Sequence, residues 1–457
     1  MLLKIENLGV VKEAQIDLGK DLILLCGQNN TGKTYVNTAI YSLLNYHFDI
    51  KPNKLIKKMV ETLLQGQEYK LDVNSQEFFD YCDDVTKQLA AQQKDFTEQI
   101  IDSFAANKKL FAKTRFSLEY QKYDYKIPSY GSGQFEQSLT LDEQKEVAYI
   151  IETSDNIITI RLKEVNNFEE KYREKFEFEF TILIYAFRSM AMSIAKIHFF
   201  PAQRSAINIF ATELSLIKNK VLEAALKDNS LLELAKKRTN RYSKPIKDNL
   251  ETAQDLLLLS QEEGEFEALA QELENSILKG KIIVSKYGSL LYIPHDNPKI
   301  QLEMHQSSSL VESLAMLVFC LRHIAMLGDC IIIDEPELNL HPDNQILVAR
   351  FLGRMVNAGL KLIVSTHSNF IVRELNNLIM LSQKNKKTVQ LKRKYGYFSE
   401  KKNQTLNPKQ VGAYLFRVGE SCISIPVDET GFNVDTIDET NKKLNESSQD
   451  IYFSLFD

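Results

Sequence analysis

The sequence predicts an α/β chain: a mixed sheet with flanking helices, interrupted by insertions that include a short antiparallel helical hairpin. Three observations carry this. Residues 27–34 read Gly27-Gln28-Asn29-Asn30-Thr31-Gly32-Lys33-Thr34, a complete G-x-x-x-x-G-K-[ST] phosphate-binding loop with an apolar strand before it and a helix after it. A second apolar run, Cys330-Ile331-Ile332-Ile333, ends in two adjacent carboxylates, Asp334 and Glu335. Between these motifs, residues 49–195 and 211–279 depart from the short strands and helices that mark the rest.

Taken in order, residues 1–48 open with alternating runs, 2–9 and 10–18, that read as a β-hairpin, followed by the strand 22–26 and a helix from Lys33 to about Tyr46. Residues 49–195 are a mixed helical and β insertion. Helical stretches at 55–64 and 77–110 accompany strand-like runs at 148–151 and 157–162. Gly131-Ser132-Gly133 reads as a flexible turn, because no strand leads into it. Residues 196–210 return to the sheet through Ile197-His198-Phe199-Phe200 and end in Pro201-Ala202-Gln203-Arg204-Ser205. In residues 211–279 the apolar positions Leu214, Ile217, Val221 and Ala225, then Leu256, Leu259, Phe266, Leu269, Leu273 and Ile277, have helix-seam spacing. Two antiparallel helices of about 25–30 residues, roughly 40 Å long at 1.5 Å per residue, fit that pattern. Residues 280–457 resume the α/β alternation: strands at 281–284, 289–293 and 300–304, an apolar helix 310–327, the strand 330–333, a helix 343–357, the strand 360–365, a helix to about 382, strands at 414–416 and 423–427, and a polar helix 436–453.

Bulk properties bound the function. At 457 residues the chain is long enough for about two to four domain-sized units. A net charge of −5 leaves any nucleic-acid contact to local patches. The five cysteines, Cys26, Cys82, Cys320, Cys330 and Cys422, show no CxxC pair or zinc spacing. With no signal peptide and no apolar run near the ~18 residues of a membrane span, the expectation is a cytoplasmic protein without membrane contact.

The chemistry follows from residue types. Gly27 and Gly32 let the loop backbone curl so that its N–H groups meet phosphate oxygens, Lys33 brings a point charge to the β/γ-phosphates, and the Thr34 hydroxyl suits Mg²⁺. The helix starting at Lys33 aims its positive end at the same anion. Asp334 suits the water shell of the Mg²⁺ and Glu335 the orientation and deprotonation of an attacking water. His367, in Ser365-Thr366-His367-Ser368 after the next strand, stands where a polar group would sense the γ-phosphate. These residue types call for ATP and Mg²⁺.

Together the motifs resemble the ABC-type ATPase superfamily, in the branch of SMC proteins, RecF and the OLD (overcoming lysogenization defect) ATPases. The match is closest in Asp334-Glu335-Pro336-Glu337-Leu338-Asn339-Leu340-His341-Pro342, against D-E-P-E-x-x-L-H-P, and it covers residues 1–46, about 197–205 and about 281–370. The resemblance implies an ATPase head in which two copies sandwich ATP. It gives Ser307, Ser308 and Ser309 the place of the signature that completes the partner's site, although no glycine follows them and a plain helix N-cap is the alternative. It gives Gln203 the place of the Mg²⁺- and water-sensing glutamine, against a surface-loop residue. No Asp-x-Asp follows His367, so a Toprim nuclease is not expected, and the chain resembles a stand-alone OLD-type ATPase of bacterial antiphage defence acting on a separately encoded toxin or nuclease after a phage product is sensed. The alternative is a RecF-like repair ATPase stimulated by duplex DNA. A transporter energy subunit is disfavoured, because His341 stands where transporters carry Asp.

Two basic clusters stand out. Lys236, Lys237, Arg238, Arg241, Lys244 and Lys247 fall at the expected hairpin tip. Lys384, Lys386, Lys387, Lys392, Arg393, Lys394, Lys401 and Lys402 interleave with Tyr395, Tyr397 and Phe398. Each reads either as a solvated face or as a contact for phosphate backbone or an acidic partner.

Overall fold

A computed structural model describes residues 1–46, 49–119, 133–142, 145–154, 156–163, 172–181, 196–210, 242–397 and 403–456. Its centre is a six-stranded mixed sheet, in spatial order β16-β15-β3-β14-β13-β9. The strands are β3 (Leu22–Gly27), β9 (Ile197–Phe200), β13 (Cys330–Asp334), β14 (Lys361–Thr366), β15 (Val411–Phe416) and β16 (Ile423–Ile425). All neighbours run parallel except the β15–β16 pair. The central strands are buried along their whole length, as parallel strands covered on both faces must be. Leu22, Leu24, Ile331, Ile333, Leu362 and Val364 enter one core, and Ile23, Leu25, Ile332 and Ile363 enter the other, the period-two alternation of a strand.

Helices cover both faces. On one lie α6 (Glu267–Leu273), α7 (Ser309–His323), α8 (Pro342–Asn357) and α9 (Asn369–Met380). On the other lie α1 (Lys33–Leu44), α4 (Gln93–Asp102) and the antiparallel sheet β2-β1-β5, made of β1 (Leu2–Leu8), β2 (Val11–Asp17) and β5 (Arg115–Glu119). A small sheet of β10 (Gly280–Val284), β11 (Leu290–Pro294) and β12 (Leu302–Glu303) precedes α7. A separate core joins α2 (Lys54–Leu64) and α3 (Gln76–Ala91) to the sheet of β4 (Tyr69–Asp72), β8 (Ile157–Leu162), β7 (Lys145–Ser154) and β6 (Gly133–Asp142).

The fold class is the expected one, and several elements differ from expectation. The helix expected over 77–110 is two helices, α3 and α4, followed by a short 3-10 turn at Lys108–Phe111. Part of the first insertion belongs to the centre: β5 pairs with β1, and Phe96, Ile100, Phe111 and Phe116 pack in the core shared with α1. Residues 242–278 are not one helix of 25–30 residues. They form α5 (Lys244–Gln254), a turn at Leu256–Leu259, α6 and a π-helical turn at Glu274–Leu278, all laid on the central core. Gly264 ends the Leu256–Leu259 stretch at close approach, where a Cβ would stand 2.9 Å from the Arg322 carbonyl oxygen. The seam at Phe266, Leu269, Leu273 and Ile277 joins the core on that face of the sheet, chiefly against α7. Residues 211–241, with Lys236, Lys237, Arg238 and Arg241, lie outside the described residues, as do Gly131, Ser132, Phe398, Lys401 and Lys402. Lys244 does not sit at a projecting tip: its N–H donates to Ser103 O (2.7 Å), and its ammonium pairs with Asp248 at 3.0 Å. Among the described residues no helix is long and apolar enough to cross a membrane.

Candidate nucleotide site

β3 delivers the phosphate-binding loop to the carboxyl end of the parallel sheet and α1 carries it away. Two glycines are required by geometry. Gly27 has φ 143°, and a Cβ there would lie 2.3 Å from the Phe416 carbonyl oxygen. Gly32 has φ 93°, and a Cβ would lie 2.4 Å from a Val11 methyl. Asn30 takes a left-handed turn at φ 63°, as Asn tolerates, while Gln28 and Asn29 stay exposed and Thr31 is tied by its hydroxyl to Gln28 O (2.8 Å). Gly32 caps α1 without a side chain and no acidic residue lies in the first turn, so the start of α1 keeps its N–H groups for an anion. The Lys33 ammonium is buried and donates to Gly27 O (2.8 Å) and Gln28 O (2.7 Å). Burial pulls its pKa down, against the upward pull of Glu335, Asp334 and Glu337.

The second half of the site comes from β13 and β14, which lie between β3 and β9 in the sheet. Asp334 is buried at the end of β13 and pairs in register with Ser365 at the end of β14. Its carboxylate accepts from the Thr34 hydroxyl (2.8 Å), from the Asn37 amide (3.2 Å) and from the Ser365 hydroxyl. The tertiary fold thus brings Thr34 and Asp334 together across 300 residues of sequence. Glu335 follows in a left-handed conformation, φ 50°, a strained backbone for a non-glycine residue. Its N–H donates to Ser365 O at 3.1 Å, with Ser365 Oγ at 3.3 Å. Burial pushes the Glu335 carboxyl above its usual range; Asp334 and Glu337 push the same way, and His367 and Lys33 oppose them.

His367 is half exposed, with Nδ1 3.3 Å from Glu337 Oε1 and 3.8 Å from Glu335 Oε1. Glu337, itself buried, accepts from the Thr366 hydroxyl (2.7 Å) and the His367 N–H (2.8 Å), fixing the turn after β14. Gln203 is exposed in the turn after β9, the strand beside β13, so it stands at the same end of the sheet. Ser308 caps α7, its Oγ accepting from Val311 N (3.4 Å); Ser307 donates to Met304 O (2.7 Å) and Ser309 to Asn339 O (3.3 Å). Ser308 and Ser309 are exposed.

Four further residues build the site. Arg204 is buried under the end of β13, where its guanidinium donates to Asp334 O (2.8 Å), Glu335 O (2.9 Å), Ser313 O (3.0 Å) and Pro201 O (3.3 Å). Asn37, Ser365 and Glu337 are the others. Asn37 could have been found from its place three residues after Thr34 on one helix face. Ser365 and Glu337 stood inside motifs read for their neighbours. Arg204 carried no periodic or motif signal.

The residues present fit a Mg²⁺-nucleotide. A buried ammonium is bonded to carbonyl oxygens, a helix start is left without a capping side chain, and the Asn37 Oδ1 atom is buried without a hydrogen-bond partner. Thr34 and Asp334 would hold the metal, the first through its hydroxyl and the second through water.

A phosphate loop on one parallel strand, facing a strand-terminal carboxylate on another, defines a phosphate-loop nucleotide-binding protein. Residues 1–372 match AAA_15, the AAA ATPase domain family, and the chain belongs to that family. No curated protein matches the chain. Among solved structures it is similar to an SMC head bound to the C-winged helix domain of ScpA, at 10% identity and TM-score 0.34 over 94% of this chain and 98% of that one. It is also similar to the Smc head domain with an extended coiled coil bound to the C-terminal domain of ScpA, from Pyrococcus furiosus (11%, TM-score 0.31, 98% of each chain). The SMC head domain from Thermotoga maritima is a third (9%, TM-score 0.29, 93% of this chain and 98% of that one). Likenesses this slight support no further conclusion.

Proposed function

We propose that the chain binds ATP with Mg²⁺ at this site, hydrolyses it, and uses its nucleotide state to control a separately encoded effector. The observation that carries the reading is the meeting of Thr34, Asp334 and Ser365 beside a buried Lys33, with Glu335 and His367 at the rim. In this reading Lys33 and the N–H groups of residues 27–34 hold the β/γ-phosphates. Mg²⁺, when bound, neutralises charge developing on the transferred phosphoryl group. Glu335 takes a proton from water as the water oxygen bonds to the γ-phosphorus and the bond to the β-phosphate oxygen breaks, giving ADP and phosphate. His367, oriented by Glu337, meets the γ-phosphate, and Gln203 approaches the metal and its waters. Ser308 and Ser309 are exposed, with Ser307 beside them, at the start of a 15-residue helix, which suits completion of a second copy's site in an ATP-sandwiched homodimer.

The setting that suits this machinery is bacterial antiphage defence, in which a phage product triggers release of a toxin or nuclease. A RecF-like repair role would instead make duplex DNA the stimulant. Lys33→Ala should lose ATP binding, and Glu335→Gln should retain binding while slowing hydrolysis roughly 10²–10⁴-fold. Wild-type turnover by Glu335→Gln would remove the base assignment. Turnover measured with and without duplex DNA, and with and without the gene neighbour's product, separates the two settings.

A further inference from the structure

Two surfaces away from the phosphate loop are complementary in chemistry and charge. The first is an open cavity of about 470 Å³ between α8, α9 and α10 (Lys386–Lys394). Met380, Leu391 and Tyr395 line it and are 43%, 43% and 56% exposed, and its floor carries Tyr397 stacked under the Arg350 guanidinium at 4.2 Å. Its volume lies within the ~300–1,000 Å³ of binding clefts. One wall, α10, holds Lys386, Lys387, Lys392, Arg393 and Lys394 and no acidic residue, and the Glu374 carboxylate in the lining is paired with Arg350 at 2.6 Å.

The second surface is α11 (Asp435–Phe456). Lys442 and Lys443 lie on its near part, with Lys442 3.8 Å from Glu446, and Glu446 and Asp450 lie toward its far end. Its far end is apolar and exposed: Ile451, Tyr452, Phe453, Leu455 and Phe456 are each at least 58% accessible, and Tyr452 gathers Phe453 and Phe456 at ring separations of 5.6 and 5.7 Å. From residue 444 to 456 the helix carries acidic residues and no basic one.

We propose that the aromatic end of α11 docks in the α8–α9–α10 groove of a second copy of this chain, each copy giving its helix to the other. The opposite charges of α10 and α11 select the pair and steer its encounter. Reach decides for the second copy. α11 springs from α9, where the Asn376 amide clasps Phe432 through its O (2.8 Å) and N (3.0 Å). The groove residues Asn377, Met380 and Leu381 lie within five residues of that root, roughly 8 Å at 1.5 Å per residue. Tyr452 lies 17 residues beyond Asp435, roughly 25 Å along the same rod. The aromatic end and the groove residues Met380, Leu391 and Tyr395 are all exposed, so the helix does not fill its own groove. Reciprocal exchange about a two-fold axis fills both grooves and leaves no open end.

The test is sedimentation of the full chain without nucleotide, so that ATP-sandwiched assembly does not contribute and the outcome is independent of the ATP-site reading. The wild type should dimerise, more weakly as salt rises. Tyr452→Ser/Phe453→Ser/Phe456→Ser, at exposed positions whose loss leaves the core intact, should raise the dimer Kd at least about thirtyfold, the scale of lost aromatic hot spots. Lys392→Glu/Arg393→Glu/Lys394→Glu should weaken it likewise, and adding Glu446→Lys/Asp450→Lys should recover dimer. An unchanged thermal melt by circular dichroism serves as the folding control for each variant. Tyr395→Cys with Phe453→Cys should give a disulfide-linked dimer on oxidation. A wild type that stays monomeric at its highest soluble concentration, a dimer indifferent to both sets of changes, or a crosslink formed only within one chain would overturn the proposal.

Discussion

Glu335 is held where both its backbone and its charge are unfavourable, and the residues that hold it are specific. Its left-handed φ is kept by Ser365, which accepts the N–H, and by Arg204, which donates to the carbonyl. Its raised pKa has a direct consequence for pH dependence. In the proposed hydrolysis Glu335 must be deprotonated to act as the base, so a folded-state pKa above the usual glutamate range should move the acid limb to higher pH. His367 lowers that pKa, so His367→Ala should move the limb higher still, whatever it does to the maximal rate; a limb that stays put or falls would contradict the assignment. Arg204→Lys should be far from conservative. One ammonium cannot reach four carbonyls spread across two strand ends and a helix, and each buried acceptor left unpaired costs about 1–3 kcal/mol. Denaturant titration should show lower stability together with slowed turnover. At this scale Lys33, Thr34, Asp334, Glu335 and His367 were legible from spacing within motifs. Arg204 was not, because three of its four partners are backbone carbonyls more than 100 residues away, and carbonyls leave no trace in residue type.

Elements show how much of a motif is local. The two loop glycines look equivalent in sequence and are not equivalent in space. At Gly27 an added methyl meets a backbone oxygen of β15, which cannot yield without opening the sheet; at Gly32 it meets a Val11 side-chain methyl, which can turn away. Gly27→Ala should therefore lower the melting temperature more than Gly32→Ala, although both positions have φ values that alanine resists. Equal losses in a thermal melt would mean that backbone strain alone decides. The seam from Leu256 to Ile277 makes the same point. Helical spacing was legible there, but the surface it serves was not: the same apolar stripe fits any apolar partner, and Gly264 against Arg322 brings it onto α7 in the central core.

At the scale of the whole molecule, the proposed reading has a second copy complete the nucleotide site. Ser308 and Ser309 are exposed, and their hydrogen bonds stay within their own turn and Asn339. If they act on a partner's nucleotide, Ser308→Arg should lose turnover and keep ATP binding, and Lys33→Ala should lose both. Mixing the two should recover part of the activity through one composite site with neither defect. No recovery at any mixing ratio, with subunit exchange shown by a labelled copy, would place the whole site in one chain.

By itself the sequence determined the elements whose physics is local: a buried strand from an unbroken apolar run, a phosphate loop from glycine spacing, a helix start behind it, and a pair of carboxylates at a strand end. Tertiary structure alone decided which of these meet. Strand order β3-β14-β13-β9 places Thr34 against Asp334 and Ser365 against Glu335, and no residue pattern encodes strand order. It also decided that β5 and α4 return to the central core, that residues 242–278 pack into that core, and that Arg204 ties the turn after β9 to the end of β13. The physical reason is range. Periodicity and turn chemistry act over a few residues, whereas packing and buried hydrogen bonds join residues hundreds apart, and these are chosen by what the whole chain can bury together.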